Sequence, residues 1–276
     1  MFVDSHCHLD RLSERTFDGD VDATLEAARA ARVSQFLAIA VTLEDLPGLA
    51  ALSRRHQDVA ISAGLHPLAE IEHEPSVEAI KEAAEQYGAV AIGETGLDHH
   101  YRDRVSVDVQ RERFKRHLIA ATELELPVVV HTREAKEKTL ALLREHTDPR
   151  VAGVLHCFTE DIDMAREAIR LGFYISLSGI ITFASAASLR ELARALPLDR
   201  LLIETDSPYL APVPHRGKPN QPAWVVEVAE CIAAERGISV DEVAMQTTAN
   251  FFRLFRGAVP DAPAHVKQAL AQAGLA

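Results

Sequence analysis

Short apolar runs rich in β-branched residues alternate with longer stretches of helical periodicity along most of the chain. The runs at 2–6 (FVDSH), 35–40 (QFLAIA), 59–64 (VAISAG) and 89–94 (AVAIGE) read as strands. So do those at 127–131 (PVVVH), 152–156 (AGVLH), 173–178 (FYISLS) and 200–205 (RLLIET). Their continuous apolar character suits strands covered on both faces. Between them, VDATLEAARAAR, SVEAIKEAAEQYG, VQRERFKRHLIAATELE and EAKEKTLALLREH repeat apolar residues at i, i+3 and i+4, as a core-facing helix requires. PAWVVEVAECIAAERG and SVDEVAMQTTANFFRLF read as two later helices. Gly237 is placed to end the first, and Ser239 with Glu242 to open the second as a capping box.

Strands that alternate with helices predict a parallel sheet. Eight such units in 276 residues fit a single-domain (β/α)8 barrel over residues 1–256, since that fold takes roughly 250 residues. A doubly wound open sheet is the alternative that strand counting leaves open. Residues 257–276 read as an appended tail with a short helix. No Gly/Ser- or Pro-rich linker, internal repeat or low-complexity segment divides the chain.

Composition narrows the function classes. Hydrophobic residues make up 47% and charged residues 25%, as in a globular protein with a sizeable core. A net charge of −12 argues against a broad basic surface, although metal ions in a cleft can supply positive charge locally. The three cysteines, Cys7, Cys157 and Cys231, are odd in number and lack CxxC spacing, which argues against a disulfide framework. The beginning of the chain has neither the basic nor the apolar region of a secretory signal, and no apolar run is long enough to span a bilayer. A cytoplasmic protein is expected, with no membrane association and no obligate protein partner.

The polar residues change the picture most. In a barrel, chemistry sits at the carboxyl ends of the strands. Strand one ends at His6 with His8 just beyond, and strand three runs into His66. Strand four ends in GETGLD, giving Glu94 and Asp98. Strands five and six end at His131 and His156, and strand eight ends in Glu204 and Asp206. Strands two and seven contribute none. Burying that many ionisable groups beside a core is costly unless something pairs them.

Imidazoles with carboxylates suit Zn²⁺ or Mn²⁺ and tolerate other divalent ions such as Mg²⁺. The expected ligands are His6, His8, Glu94, His131, His156 and Asp206. They exceed one tetrahedral shell and suit two cations about 3.5–4 Å apart, with Glu94, midway around the barrel, as the bridge. Cys7 and Cys157 adjoin ligand histidines, so strand alternation points them outward as small apolar fillers. Asp4 is expected to orient a neighbouring ligand or serve the framework. His99 and His100 fall in a loop; His56, His73, His117, His146 and His265 are expected to be solvated.

The motifs FVDSHCHLD, GLHP, GETGLD, PVVVHTREAKE, LHCF and ETDSPYLAPVPHRGKPNQP together resemble the TatD family of metal-dependent deoxyribonucleases. They run from residue 2 to about 255 in the family's order. The resemblance implies a TIM barrel of the metal-dependent hydrolase superfamily and a divalent metal pair on those six ligands. The family often has an aromatic residue where His99 stands and isoleucine where Thr95 stands, which bears on substrate contacts. A carboxylated lysine often bridges the metals elsewhere in the superfamily; Glu94 favours the TatD branch.

The reaction expected is phosphodiester hydrolysis, with metal-activated water and Asp206 as general base. Glu204 could supply a further carboxylate. Arg133, two residues after His131, could clamp a phosphate or pair with a carboxylate. Arg216, Lys218 and Asn220, in PHRGKPNQP, read as phosphate-backbone contacts, with a solvated charged loop as the alternative; Tyr209 could stack a base or only pack the loop. His66 is a substrate contact or a structural hydrogen bond. The resemblance implies single-stranded DNA shortened from its 3′ end. An amidohydrolase or lactonase acting on a small molecule, and a non-catalytic metal-binding scaffold, are the competing readings.

Overall fold

The computed structural model describes residues 1–258. Most of the tail expected over 257–276, together with His265, lies outside the described residues. Eight strands form one sheet in the order β1-β2-β3-β4-β5-β6-β7-β8. They are β1 (Phe2–Cys7), β2 (Val33–Ala38), β3 (Val59–Ala63), β4 (Ala91–Asp98), β5 (Val128–Arg133), β6 (Gly153–Leu155), β7 (Tyr174–Leu177) and β8 (Leu201–Ile203). Helices follow the strands: α1 (Val21–Ala30), α2 (Leu46–Arg55), α3 (Val77–Tyr87), α4 (Val107–Leu124), α5 (Lys136–His146), α6 (Ile162–Arg170) and α7 (Ala187–Ala195), then α8 (Val225–Arg236) and α9 (Val240–Leu254). Adjacent strands pair in parallel, and the architecture is a (β/α)8 barrel rather than the open sheet.

Two compact units make up the chain. The first comprises Met1–Ala38, Leu52–Ala60 and the chain from Ser176 onward. In it the first and last strands meet. Cys7 bridges Ser207 in parallel, His8 N donates to Ser207 O at 2.8 Å, and Asp206 N donates to His6 O at 2.9 Å. Phe251 of α9 and Phe255, which caps it, are fully buried, with ring centroids 4.9 Å apart. Gly237 ends α8 with φ +65°, and the Ser239 hydroxyl accepts from Glu242 N to open α9.

The second unit comprises Ile39–Ala51 and Ile61–Ile175. Phe114, His117, Leu118 and Ala121 line the buried face of α4 at the spacing that its periodicity predicts. The expectation that His117 is solvated is therefore corrected. Its Nε2 accepts from Leu65 N at 3.1 Å and its Nδ1–H donates to Arg113 O at 2.7 Å, which fixes a neutral ring. Burial lowers its pKa to about 4, against the upward pull of the Arg113 carbonyl.

Strand β4 runs four residues beyond its expected end at Glu94, to Asp98. Its pairing with β5 shifts register between Ile92 and Thr95. Two glycines permit this close approach. A Cβ at Gly93 would sit 2.5 Å from Val129 O, and one at Gly96 1.9 Å from His131 O. A register shift of this kind re-aims side chains, and here it governs both Glu94 and Asp98.

Candidate metal centre

In the second unit, imidazoles converge on Glu94. His156 Nε2 lies 2.7 Å from Glu94 Oε1, His131 Nδ1 lies 3.1 Å away and His66 Nε2 3.5 Å. Glu94 is buried. Burial alone would raise its pKa, but His156, His66 and His131 outweigh it and hold the carboxyl well below the usual range. The other edge of His131 faces a second carboxylate, with Nε2 3.1 Å from Asp98 Oδ2. That pairing lets Nε2–H donate outward and leaves the Nδ1 lone pair facing Glu94 and His156.

His66 is wired differently. Its Nδ1 accepts from Leu68 N at 3.0 Å, so the neutral ring carries its proton on Nε2 and donates toward Glu94. It is a hydrogen-bond donor at the edge of the cluster rather than a lone-pair ligand.

The first unit carries the other expected ligands. His6 Nε2 and His8 Nε2 lie 3.6 and 3.4 Å from the same Asp206 oxygen, Oδ1. Strand β1 ends at Cys7, so His8 is delivered by the turn beyond it, and the two rings meet edge-on with centroids 5.1 Å apart. Asp206 has φ +56°, a left-handed conformation that aspartate tolerates better than most residues. Asp4 accepts from His6 N, Thr205 N and Thr205 Oγ1 and so ties the β1 ligand strand to the β8 turn. Its burial nonetheless pushes the carboxyl up to about 8. Glu204 is also fully buried in this unit.

These donor sets fit divalent cations. His131 Nδ1, His156 Nε2 and Glu94 Oε1 lie 2.7 to 3.4 Å from one another. Several lone pairs that aim at one point, with carboxylates to balance charge, are what a cation requires and what a plain ion-pair network does not.

The sequence model of the TatD related DNase family matches residues 3–256. The chain belongs to the TatD family. It is 51% identical over 254 residues to the uncharacterized metal-dependent hydrolase YcfH of Escherichia coli (strain K12), covering 92% of this chain and 95% of that protein. It is 36% identical over 257 residues to the uncharacterized metal-dependent hydrolase YabD of Bacillus subtilis (strain 168), covering 93% and 99%. Among solved structures, the TatD homologue YjjV of Escherichia coli K12 superposes with a TM-score of 0.85 at 31% identity, covering 92% and 98%. This TatD-family chain is thus a metal-dependent hydrolase with a TIM barrel and with His, Asp and Glu groups that could bind metals. No helix among its described residues is long and apolar enough to cross a membrane.

The expected substrate contacts divide. Arg133, Tyr209, Arg216 and Lys218 are exposed. Arg133 lies over the Tyr101 ring at 5.2 Å, and Tyr209 approaches the His8 ring edge-on at 6.1 Å. Asn220 is a correction. It is fully buried; its Nδ2 donates to Thr205 O at 2.8 Å and its Oδ1 accepts from Gln221 N. Both polar ends of its amide are thus taken up inside the protein, where they hold the β8 turn.

Neither Cys7 nor Cys157 falls in a candidate metal group among the described residues. Cys7 is buried, with Sγ 3.5 Å from Leu37 O, and burial raises its thiol pKa. Cys157 lies past the end of β6 at φ +42°, so strand alternation does not govern it. The sequence reading missed the pairing of Asp98 with His131. Alternation along GETGLD places Asp98 on the face of Glu94, four residues on, and that signal pointed to it.

Proposed function

We propose that this TatD-family chain hydrolyses phosphodiester bonds in DNA, acting on single strands from the 3′ end. The carrying observation is the pair of ligand clusters at strand ends, His6, His8 and Asp206 in one unit and Glu94, His131 and His156 in the other. These six are the proposed ligands of two divalent cations, Mg²⁺, Mn²⁺ or Zn²⁺. Cations held there would polarise water and offset charge on a phosphoryl group.

The side chains have separable tasks. Asp206 takes the proton of the attacking water; its Oδ1 lies between two imidazoles that leave it little freedom. His66 donates from Nε2 and holds a substrate oxygen. Glu204, buried in the same unit as Asp206, adds negative charge that favours cation binding. Arg133 and Lys218, both exposed, meet backbone phosphates. The family model, whose name specifies DNase, supports the substrate class.

The test is digestion of end-labelled single- and double-stranded DNA and RNA after chelation and re-addition of Mg²⁺, Mn²⁺ or Zn²⁺. Ladders shortening from the 3′ end of single-stranded DNA are expected. Full activity in chelator after verified metal removal, or hydrolysis of small amides or lactones alone, refutes the proposal.

A further inference from the structure

Strand β7 delivers no ionisable group at its carboxyl end, yet the turn after it meets the β8 loop. A 3-10 turn, Gly179–Thr182, leads into Phe183. The guanidinium carbon of Arg216 lies 3.7 Å from the Phe183 ring centroid, the distance of a stacked pair. At that distance the ring covers one side of the guanidinium, and Arg216 is exposed.

Exposed apolar surface gathers on the same loop. Tyr209 is 54% exposed and Val213 47%, two of only six large hydrophobic residues so exposed among the described residues. The two loops are fixed to each other. Val213 N donates to Thr182 Oγ1 at 2.9 Å, and a Cβ at Gly179 would sit 2.3 Å from Leu210 O. The surface is therefore built before any ligand arrives, and little ordering entropy is lost on binding.

We infer that Phe183, Arg216 and Tyr209 form a stacking platform for unpaired nucleobases beside the His8 end of the metal cluster. The inference rests on the proposed nuclease reading and deepens it. It gives Arg216 a task that depends on its plane, where phosphate contact would need only its charge. Bases paired within a duplex keep their faces covered, so such a platform favours single strands.

The test compares a labelled oligothymidylate with an abasic oligomer of the same length and charge, by fluorescence anisotropy in chelator and again with Ca²⁺. The full chain should bind the oligothymidylate about 10-fold more tightly or better, the scale of base–aromatic stacking. F183L should erase most of that difference, and F183W should restore it. R216K, which keeps the charge and loses the plane, should weaken oligothymidylate binding more than abasic binding. In turnover, F183L should lose more kcat/KM on the oligonucleotide than on a small aryl phosphodiester. Equal binding of the two oligomers by the unaltered chain, or an unchanged preference in F183L, overturns this inference while the nuclease reading stands. Failure of the unaltered chain to bind either oligomer overturns both.

Discussion

Asp98 Oδ2 lies 3.1 Å from His131 Nε2, on the opposite edge of the ring from Glu94. Burial disfavours a charged His131, but its hydrogen bonds to Asp98 and Glu94 outweigh burial and raise its pKa. When the ring is neutral, as a cation ligand must be, Asp98 accepts from Nε2–H and the lone pair is left on Nδ1. Removing such an orienting carboxylate typically costs about 10–100-fold in metal affinity or activity. Asp98→Ala is expected to lose metal affinity on that scale and stay folded. Metal titration followed by circular dichroism checks this; unchanged affinity would leave Asp98 as a framework residue only.

His117 predicts an acid-dependent loss of stability. Its folded pKa is about 4, below the ordinary histidine value of about 6.5. Between those values the unfolded chain binds the extra proton, so stability falls as pH drops through about 6.5 and levels off below about 4. The full contribution is on the order of 3 kcal/mol. The physical cause is visible in the ring: protonating Nε2 would abolish the bond it accepts from Leu65 N. His117→Gln retains an acceptor and does not titrate. Urea denaturation across this range should show a shallower pH slope in the variant. An identical slope would refute the neutral buried ring.

Asn220 separates framework from substrate contact. Its amide satisfies Thr205 O and Gln221 N inside the protein. Asn220→Ala strands both groups, at about 1–3 kcal/mol for buried unsatisfied partners. A chain of this size loses roughly 2–4 °C of Tm per kcal/mol. A lower Tm is expected, with KM for oligonucleotides changed less than by charge reversal at Lys218. A raised KM at unchanged Tm would return Asn220 to the substrate-binding loop.

The strand-end histidines and carboxylates were legible because alternation and strand order are local properties. His131 and His156 need no tertiary knowledge to be placed near the ends of their strands. Asp98 was legible as a strand-end carboxylate on the face of Glu94; its pairing with His131 was not, because it depends on how closely Gly93 and Gly96 let β4 crowd Val129 and His131. His117 was misread although its spacing from Phe114 and Leu118 put it on the buried face of α4. A polar residue type outweighed a correct periodicity. Asn220 and Phe183 lie in loops, where the sequence carries no period and partners are set by long-range contacts.

Asp206 and Glu94 allow ligation to be told apart from base catalysis. Asp206 sits at φ +56°, which asparagine adopts as readily as aspartate, so Asp206→Asn leaves the turn unstrained. It keeps an oxygen facing His6 and His8 but loses the basic carboxylate. General-base assistance is typically worth about 10²–10⁴-fold in rate. A kcat loss on that order is expected, with near-normal metal content. Glu94 is surrounded by three imidazoles, and its carboxyl is held ionised by them. Glu94→Gln removes that buried negative charge, so it should lose metal and activity together. Single-turnover rates and bound metal, measured on both variants, decide the matter. Wild-type turnover in Asp206→Asn would end its assignment as base, and so would a site emptied as completely as in Glu94→Gln.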